Sequence, residues 1–174
     1  MASAWSSLNQ MAFVVRDMQE GIEFWTKTMG VGPFFVFPEL HAKRADYRGR
    51  DFIYQFGAAI AFSGDLNIEL IEPRGPSIFD DFLKAGRNGM HHTCRFVDDI
   101  AASEAEILAL GAKRLQGATF GPGSEVAYYD MSGDEAVILE LAQIPAGSLA
   151  LFDAVKQAAR DWDGKHPTMN LVFS

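Results

Sequence analysis

The sequence predicts an α+β fold: two strand–helix–strand–strand–strand (βαβββ) modules paired into an open, curved, eight-stranded sheet around a pocket. Three observations predict it. First, Gln10-Met11-Ala12-Phe13-Val14-Val15-Arg16-Asp17-Met18 resembles His92-Thr93-Cys94-Arg95-Phe96-Val97-Asp98-Asp99-Ile100. Both are short apolar segments that end in Asp plus an apolar residue. Second, each runs into a helical stretch that stops at Gly, Asp17 to Gly30 and Asp99 to Gly111. The offset is 82 at the aspartates and 81 at the glycines. Third, three extended segments follow each helix. Each unit covers only one face of its strands, so two units pair to enclose a concave surface.

The elements follow in order. Each Asp is a natural cap, since its carboxylate accepts orphan backbone N–H groups, and each Gly a natural stop. Met18, Ile22, Trp25 and Met29 recur at helical spacing in the first helix; Ile100, Ile107, Leu108 and Leu110 give the apolar side of the second. The first module's later strands are Phe34 to Phe37, Phe52 to Phe62 and Leu66 to Ile71. The second module's are Lys113 to Gln116, Glu125 to Met131 and Ala136 to Leu141, with turns at Gly64-Asp65 and Ser132-Gly133-Asp134. His41 to Arg50 reads as a long basic loop. Leu149, Phe152, Val155, Ala159 and Trp162 predict a final amphipathic helix, over the core or a partner subunit. The chain divides into a first module at 1–73, a linker at 74–89 with a short helix over Ser77 to Lys84, a second module at 90–144 and a helical extension at 145–174.

Composition excludes several classes. A net charge of −8 disfavours broad nucleic-acid binding. No apolar run is long enough for a membrane span. Met1 to Asn9 lacks the basic start and apolar stretch of a signal peptide, so the cytoplasm is expected. The single cysteine, Cys94, excludes an intrachain disulfide and reads as a small core residue.

The candidate chemistry sits at matching repeat positions. Gln10 and His92 occupy equivalent points on the first strands; Glu69 and Glu140 occupy equivalent points on the last. A carboxylate inside an apolar strand is costly unless paired or bound to a cation. Donors of this kind suit one divalent ion, such as Zn, Co, Ni, Mn or Fe. His91, next to His92, is expected on the opposite strand face. Phe34, Phe35 and Phe37 follow Gly32-Pro33, Phe52, Tyr54 and Phe56 alternate along one strand, and Tyr128 and Tyr129 fall on opposite faces. Phe35, Tyr54, Phe56 and Tyr128 are the expected substrate-pocket residues, suited to a hydrophobic or ring-containing substrate. The basic loop with His41, Lys43, Arg44, Arg48 and Arg50 suits an anionic tail.

From Leu8 to Ala142 the chain resembles the vicinal oxygen chelate superfamily of glyoxalase I, methylmalonyl-CoA epimerase, extradiol dioxygenases and bleomycin-resistance proteins. Gly89-Met90-His91-His92-Thr93-Cys94, followed by Val97-Asp98-Asp99-Ile100, is similar to the epimerase branch. So is Asn67-Ile68-Glu69-Leu70-Ile71-Glu72-Pro73 with Ser77, Ile78, Phe82 and Leu83 after it. The resemblance implies four metal ligands: Gln10, Glu69, His92 and Glu140. Epimerases usually carry His at the first position; Gln there resembles zinc-type glyoxalase I. Epimerases also carry a glutamate near the position of Gln55, which takes up no proton at neutral pH.

The implied activity is a metal-dependent isomerase or lyase of the glyoxalase/epimerase type. It moves a proton α to a carbonyl through a metal-chelated enolate, with Glu140 or a metal-bound water as base. The alternatives are a non-catalytic binding protein of the resistance type, holding an aromatic ligand, and an iron-dependent ring-cleaving dioxygenase. The latter uses two histidines and a glutamate, a set Gln10 does not match. The resemblance also implies a homodimer.

Overall fold

The two halves meet through their first strands. In the computed structural model, which describes residues 7–170, β1 (Gln10–Val14) pairs antiparallel with β7 (Gly89–Phe96). Each of these strands then pairs in parallel with the last strand of its own half: β1 with β6 (Leu66–Pro73), and β7 with β10 (Ile138–Gln143). Outward from there come β5 (Gln55–Ser63) and β2 (Phe34–His41) on one side, β9 (Ser124–Asp130) and β8 (Lys113–Gly121) on the other. Those are the eight expected strands. Most of the N-terminal stretch expected to lack a leader (Met1 to Asn9), and the end of the C-terminal extension, lie outside the described residues.

Among the described residues the sheet has eleven strands, in the order β11-β2-β5-β6-β1-β7-β10-β9-β8-β3-β4. The additions are β3 (Arg44–Tyr47), β4 (Arg50–Asp51) and β11 (Thr168–Met169). The segment expected as a basic loop is therefore mostly a hairpin, and β3 pairs antiparallel with β8 of the other half. Its reason is visible in Arg44-Ala45-Asp46-Tyr47. Ala45 and Tyr47 pack against the core, while Arg44 is exposed and Asp46 ion-pairs with Arg114.

The sheet is curved and unclosed. Tyr54, just ahead of β5, and Tyr128 on β9 bring their hydroxyl oxygens to 3.1 Å although β5 and β9 are five places apart in the sheet. Five flat strand spacings would span about 24 Å. The concave side is filled at one end by Tyr54, Phe56, Leu115, Tyr128 and the apolar face of α2 (Ile78–Lys84), which contributes Ile78, Phe79 and Phe82. Ser77 caps α2 by accepting the Asp80 N–H.

The repeated helices are α1 (Met18–Lys27) and α3 (Ile100–Ala109), each capped by its predicted Asp, whose carboxylate accepts from Glu20 and Ala102 respectively. α1 buries Ile22 and Trp25 against Phe34, Ala59, Ala61 and Leu70. Met29 lies past the helix end and is exposed. α3 buries only Ile100 and Ile107; Leu108 and Leu110 face water, a correction to the expected apolar side, because Leu110 already belongs to the helix cap. α4 (Ala146–Asp161) is the predicted last helix. It lies over the core of its own chain, with Val155 fully buried against Ile60 and Phe62. No helix is long and apolar enough to cross a membrane among the described residues.

Candidate metal centre

The register obeys the repeat. Across β1 and β7, Gln10 faces Cys94 and Ala12 faces His92. Glu69 flanks Ala12 on β6, as Glu140 flanks Cys94 on β10. Residues opposite one another, or two apart on one strand, share a sheet face. Gln10, Glu69, His92 and Glu140 therefore lie on one face, the concave one. Ala12 and Cys94, both fully buried, form a floor of small side chains between them.

One donor atom each from Glu69, His92 and Glu140 lies within 4.8 Å of the others, a cluster able to hold a metal ion. His92 Nε2 is 3.0 Å from Glu140 Oε2, and both side chains are nearly closed to solvent. Glu69 is half-buried. Loss of solvation, and then the nearby Glu140 carboxylate, pushes its pKa well above the usual carboxylate range. Two carboxylates this close resist joint ionisation, and a divalent cation between them removes the penalty. The donor set, two carboxylates and an imidazole, thus fits the implied group on its own chemistry. The first-strand amide Gln10 is buried and lines the same cavity as Glu69 and Glu140.

That cavity, about 280 Å³, is mostly apolar. Phe37, Phe96, Phe120 and Phe152 bring four rings to it, with Leu40 and Leu151 among the aliphatics. Phe152 and Leu151 come from α4, which roofs the cavity. Tyr54, Phe56 and Tyr128, the expected lining, lie in the packed core beside it, with Tyr54 against Phe56 and Phe120. Phe35 packs in the group that docks α4. The signals for the actual lining were partial. Phe96 continues the alternation of His92 and Cys94. Phe120 lies beyond the predicted strand end. Phe37 and Leu40 share the cavity because the β2–β5 register shifts between them.

Other expected residues fall elsewhere. Gln55 donates to Glu39 and alternates away from Ala58 and Ile60, which line the cavity. None of His41, Lys43, Arg44, Arg48 or Arg50 lines it. Arg48 instead binds Glu135 and Asp81. Tyr128 and Tyr129 do face opposite sides, in separate core groups. Cys94 is buried, and burial with the adjacent Glu140 charge holds its thiol well above the ordinary value, which leaves it unreactive.

His91 corrects an expectation. The β1–β7 register shifts between Ala12 and Phe13, so Ala12 faces His92 while Phe13 faces Met90. The bulge leaves His91 without a cross-strand partner and turns its ring to the same side as His92. Its Nδ1 lies 2.9 Å from His92 Nδ1, and its ring packs against Phe79 and Phe82. Burial lowers its pKa to about 3.

The model of the glyoxalase/bleomycin resistance protein/dioxygenase superfamily matches residues 9–128, more than half of the chain. A hypothetical protein from Bacillus halodurans C-125 superimposes with a TM-score of 0.57 at 18% identity, over 80% of this chain and 94% of that one. Methylmalonyl-CoA epimerase from Mycobacterium tuberculosis gives 0.56 at 16% identity, over 86% and 96%. A Streptomyces coelicolor methylmalonyl-CoA epimerase variant in complex with 2-nitronate-propionyl-CoA gives 0.54 at 19%, over 80% and 94%. At such identities the likeness is one of fold. No curated protein matches the sequence.

Proposed function

The chain belongs to the glyoxalase/bleomycin resistance protein/dioxygenase superfamily, and from that premise we propose that it is a metal-dependent isomerase or lyase of the glyoxalase/epimerase type. Its substrate in this reading is a small hydrophobic or aromatic carbonyl compound. Gln10, Glu69, His92 and Glu140 hold one divalent ion (Zn, Co, Ni, Mn or Fe). The observation that carries the reading is the convergence of Glu69, His92 and Glu140 on the concave face, next to an apolar cavity that Gln10 also lines.

When bound, the ion supplies Lewis-acid stabilisation of negative charge on substrate oxygen. The rest falls to the chain. Glu140 takes the proton α to the carbonyl and returns it. Its position between His92 and the cavity supports that role. Phe37, Phe96, Phe120 and Phe152 hold the apolar part of the substrate and exclude water. An anionic tail would reach the basic β3–β4 hairpin only outside the cavity. The protein acts, in this reading, as a cytoplasmic homodimer.

The test is the metal content of the purified protein by elemental mass spectrometry, alongside His92→Ala and Glu140→Ala. About one ion per chain, lost in both variants, is expected. Solvent deuterium then enters candidate carbonyl substrates without oxygen. Wild-type protein that takes up no metal even after reconstitution overturns the enzyme reading and leaves the cavity as a binding site for an aromatic ligand. Oxygen-dependent ring cleavage would transfer the chain to the dioxygenases.

A further inference from the structure

We propose that Asn67 is a positioning residue for Gln10: its Oδ1 accepts a hydrogen from Gln10 Nε2, and that bond turns Gln10 Oε1 toward Glu69 and Glu140. The inference rests on the metal-site reading for its purpose, but the contact between the two amides is testable without any ion.

The register places the two side chains together. Asn67 on β6 is the Cα partner of Gln10 on β1, and Glu69 is the partner of Ala12, so Asn67 shares the concave face with Gln10 and Glu69. Asn67 is fully buried. Its Nδ2 donates to the Ala61 carbonyl of β5 at 3.0 Å. This bond fixes the amide, because the reversed orientation would set Oδ1 against a carbonyl oxygen. Oδ1 is left buried with no hydrogen-bond partner. Such an acceptor is rare in a folded chain and calls for a donor. β5 lies on one side of β6 and β1 on the other. With Nδ2 committed to β5, the donor comes from β1, where Gln10 carries two amide hydrogens. Paired residues on adjacent strands stand about 4.8 Å apart, within reach of a glutamine side chain, so rotation about its bonds is enough.

The bond matters because a carboxamide offers a cation only its oxygen. Its oxygen and nitrogen ends have the same shape, so a glutamine needs a neighbour to choose between them. Gln10 lines the cavity beside Glu69 and Glu140. Once Nε2 is held toward β6, Oε1 faces that side. The repeat supplies an internal control. His92 stands at the place of Gln10 in the second half. Ile138, two residues before Glu140 as Asn67 is two before Glu69, stands at the place of Asn67 and is buried. The half that brings an imidazole has an apolar neighbour there; the half that brings an amide has a buried amide. Outer partners of this kind orient the groups that hold a metal.

The experiment titrates Zn2+ into the full chain in a double-mutant cycle. Asn67→Leu keeps the size of the side chain and removes the acceptor; it lowers affinity about 3–10-fold and costs nothing further when combined with Gln10→Ala. In Gln10→Glu both outer atoms are oxygens, and Asn67→Leu has no effect there. Asn67→Ala repeats the cycle should the leucine variant not fold. Separately, NMR of 13C,15N-labelled wild type, with and without Zn2+, shows a coupling across the hydrogen bond between Gln10 Nε2 and Asn67 Cγ. An Asn67 substitution that costs as much beside Gln10→Ala as in wild type overturns the proposal, as does a spectrum without that coupling in both states. Wild type that binds no Zn2+ but shows the coupling sinks the metal reading and upholds the amide contact.

Discussion

The two halves place equivalent residues at equivalent points and load them differently. The second half supplies His92 and Glu140, both nearly closed to solvent and already in contact at 3.0 Å. The first supplies Gln10, a neutral amide, and Glu69, half-buried and reluctant to ionise beside Glu140. The repeat therefore dictates where the backbone puts a side chain, while each half sets that side chain's chemistry and burial. The second half offers a pair already at hydrogen-bond distance, with His91 beside it; the first offers an amide and a carboxylate at the cavity wall. The first half compensates in structure. Its hairpin and the following α2 cross to the other half, where β3 pairs with β8 and Arg48 ties Asp81 of α2 to Glu135 of the β9–β10 turn.

The largest expected effect would break the symmetry of the site. His92→Ala or Glu140→Ala lowers divalent-metal affinity by more than about 100-fold, whereas Gln10→Ala costs about tenfold, the worth of one neutral polar contact. Isothermal titration of the four variants, Glu69→Gln included, ranks the donors; equal losses on both sides would refute the asymmetry.

The next effect is pH dependence through His91. Its pKa is held near 3 in the folded chain against 6.5 for a free imidazole. The unfolded chain binds a proton between those values and the folded chain does not, so this contribution is fully present above about pH 6.5 and is lost as pH falls toward 3. In metal-free protein His91→Phe removes that slope, a difference of up to a few kcal/mol at the acid end in urea melts. Parallel profiles for the two proteins would show His91 to be accessible to protons.

A smaller effect tests the roof over the cavity. Val155→Ala, at the buried contact of α4 with Ile60 and Phe62, costs about 2 kcal/mol by thermal unfolding. It also increases protease access to α4. The smallest concerns the crossing hairpin. Arg48→Ala costs at most about 1 kcal/mol, since its ion pairs are well exposed. Arg48 has φ +49°, a backbone that favours glycine, so Arg48→Gly should be the milder of the two substitutions.

Much of this molecule was legible because its signals are local. Asp17 and Asp99 cap the helices they precede, and Ser77 caps α2, as their side chains allow. The polar positions Gln10, Glu69, His92 and Glu140 stood out because each interrupts an apolar strand at a repeat-equivalent point. The cavity was read less well. Alternation puts Phe52, Tyr54 and Phe56 on one sheet face, but depth along that face depends on what fills it, and α2 together with the hairpin fills that end. Arg44 to Tyr47 carried a strand pattern too short and too basic to stand out from a loop.

By itself the sequence determined the repeat, the caps, the order of elements and the four candidate donors, since these follow from residue type and spacing along the chain. Tertiary structure decided what spacing cannot encode. Sheet curvature brought the first-half and second-half donors onto one small volume. A single bulge in β7 turned His91 from the far face to stand behind His92. The return of α4 onto β5 made an open concave surface into a roofed apolar cavity. Each depends on contacts between segments far apart in sequence, whose energies no local pattern records.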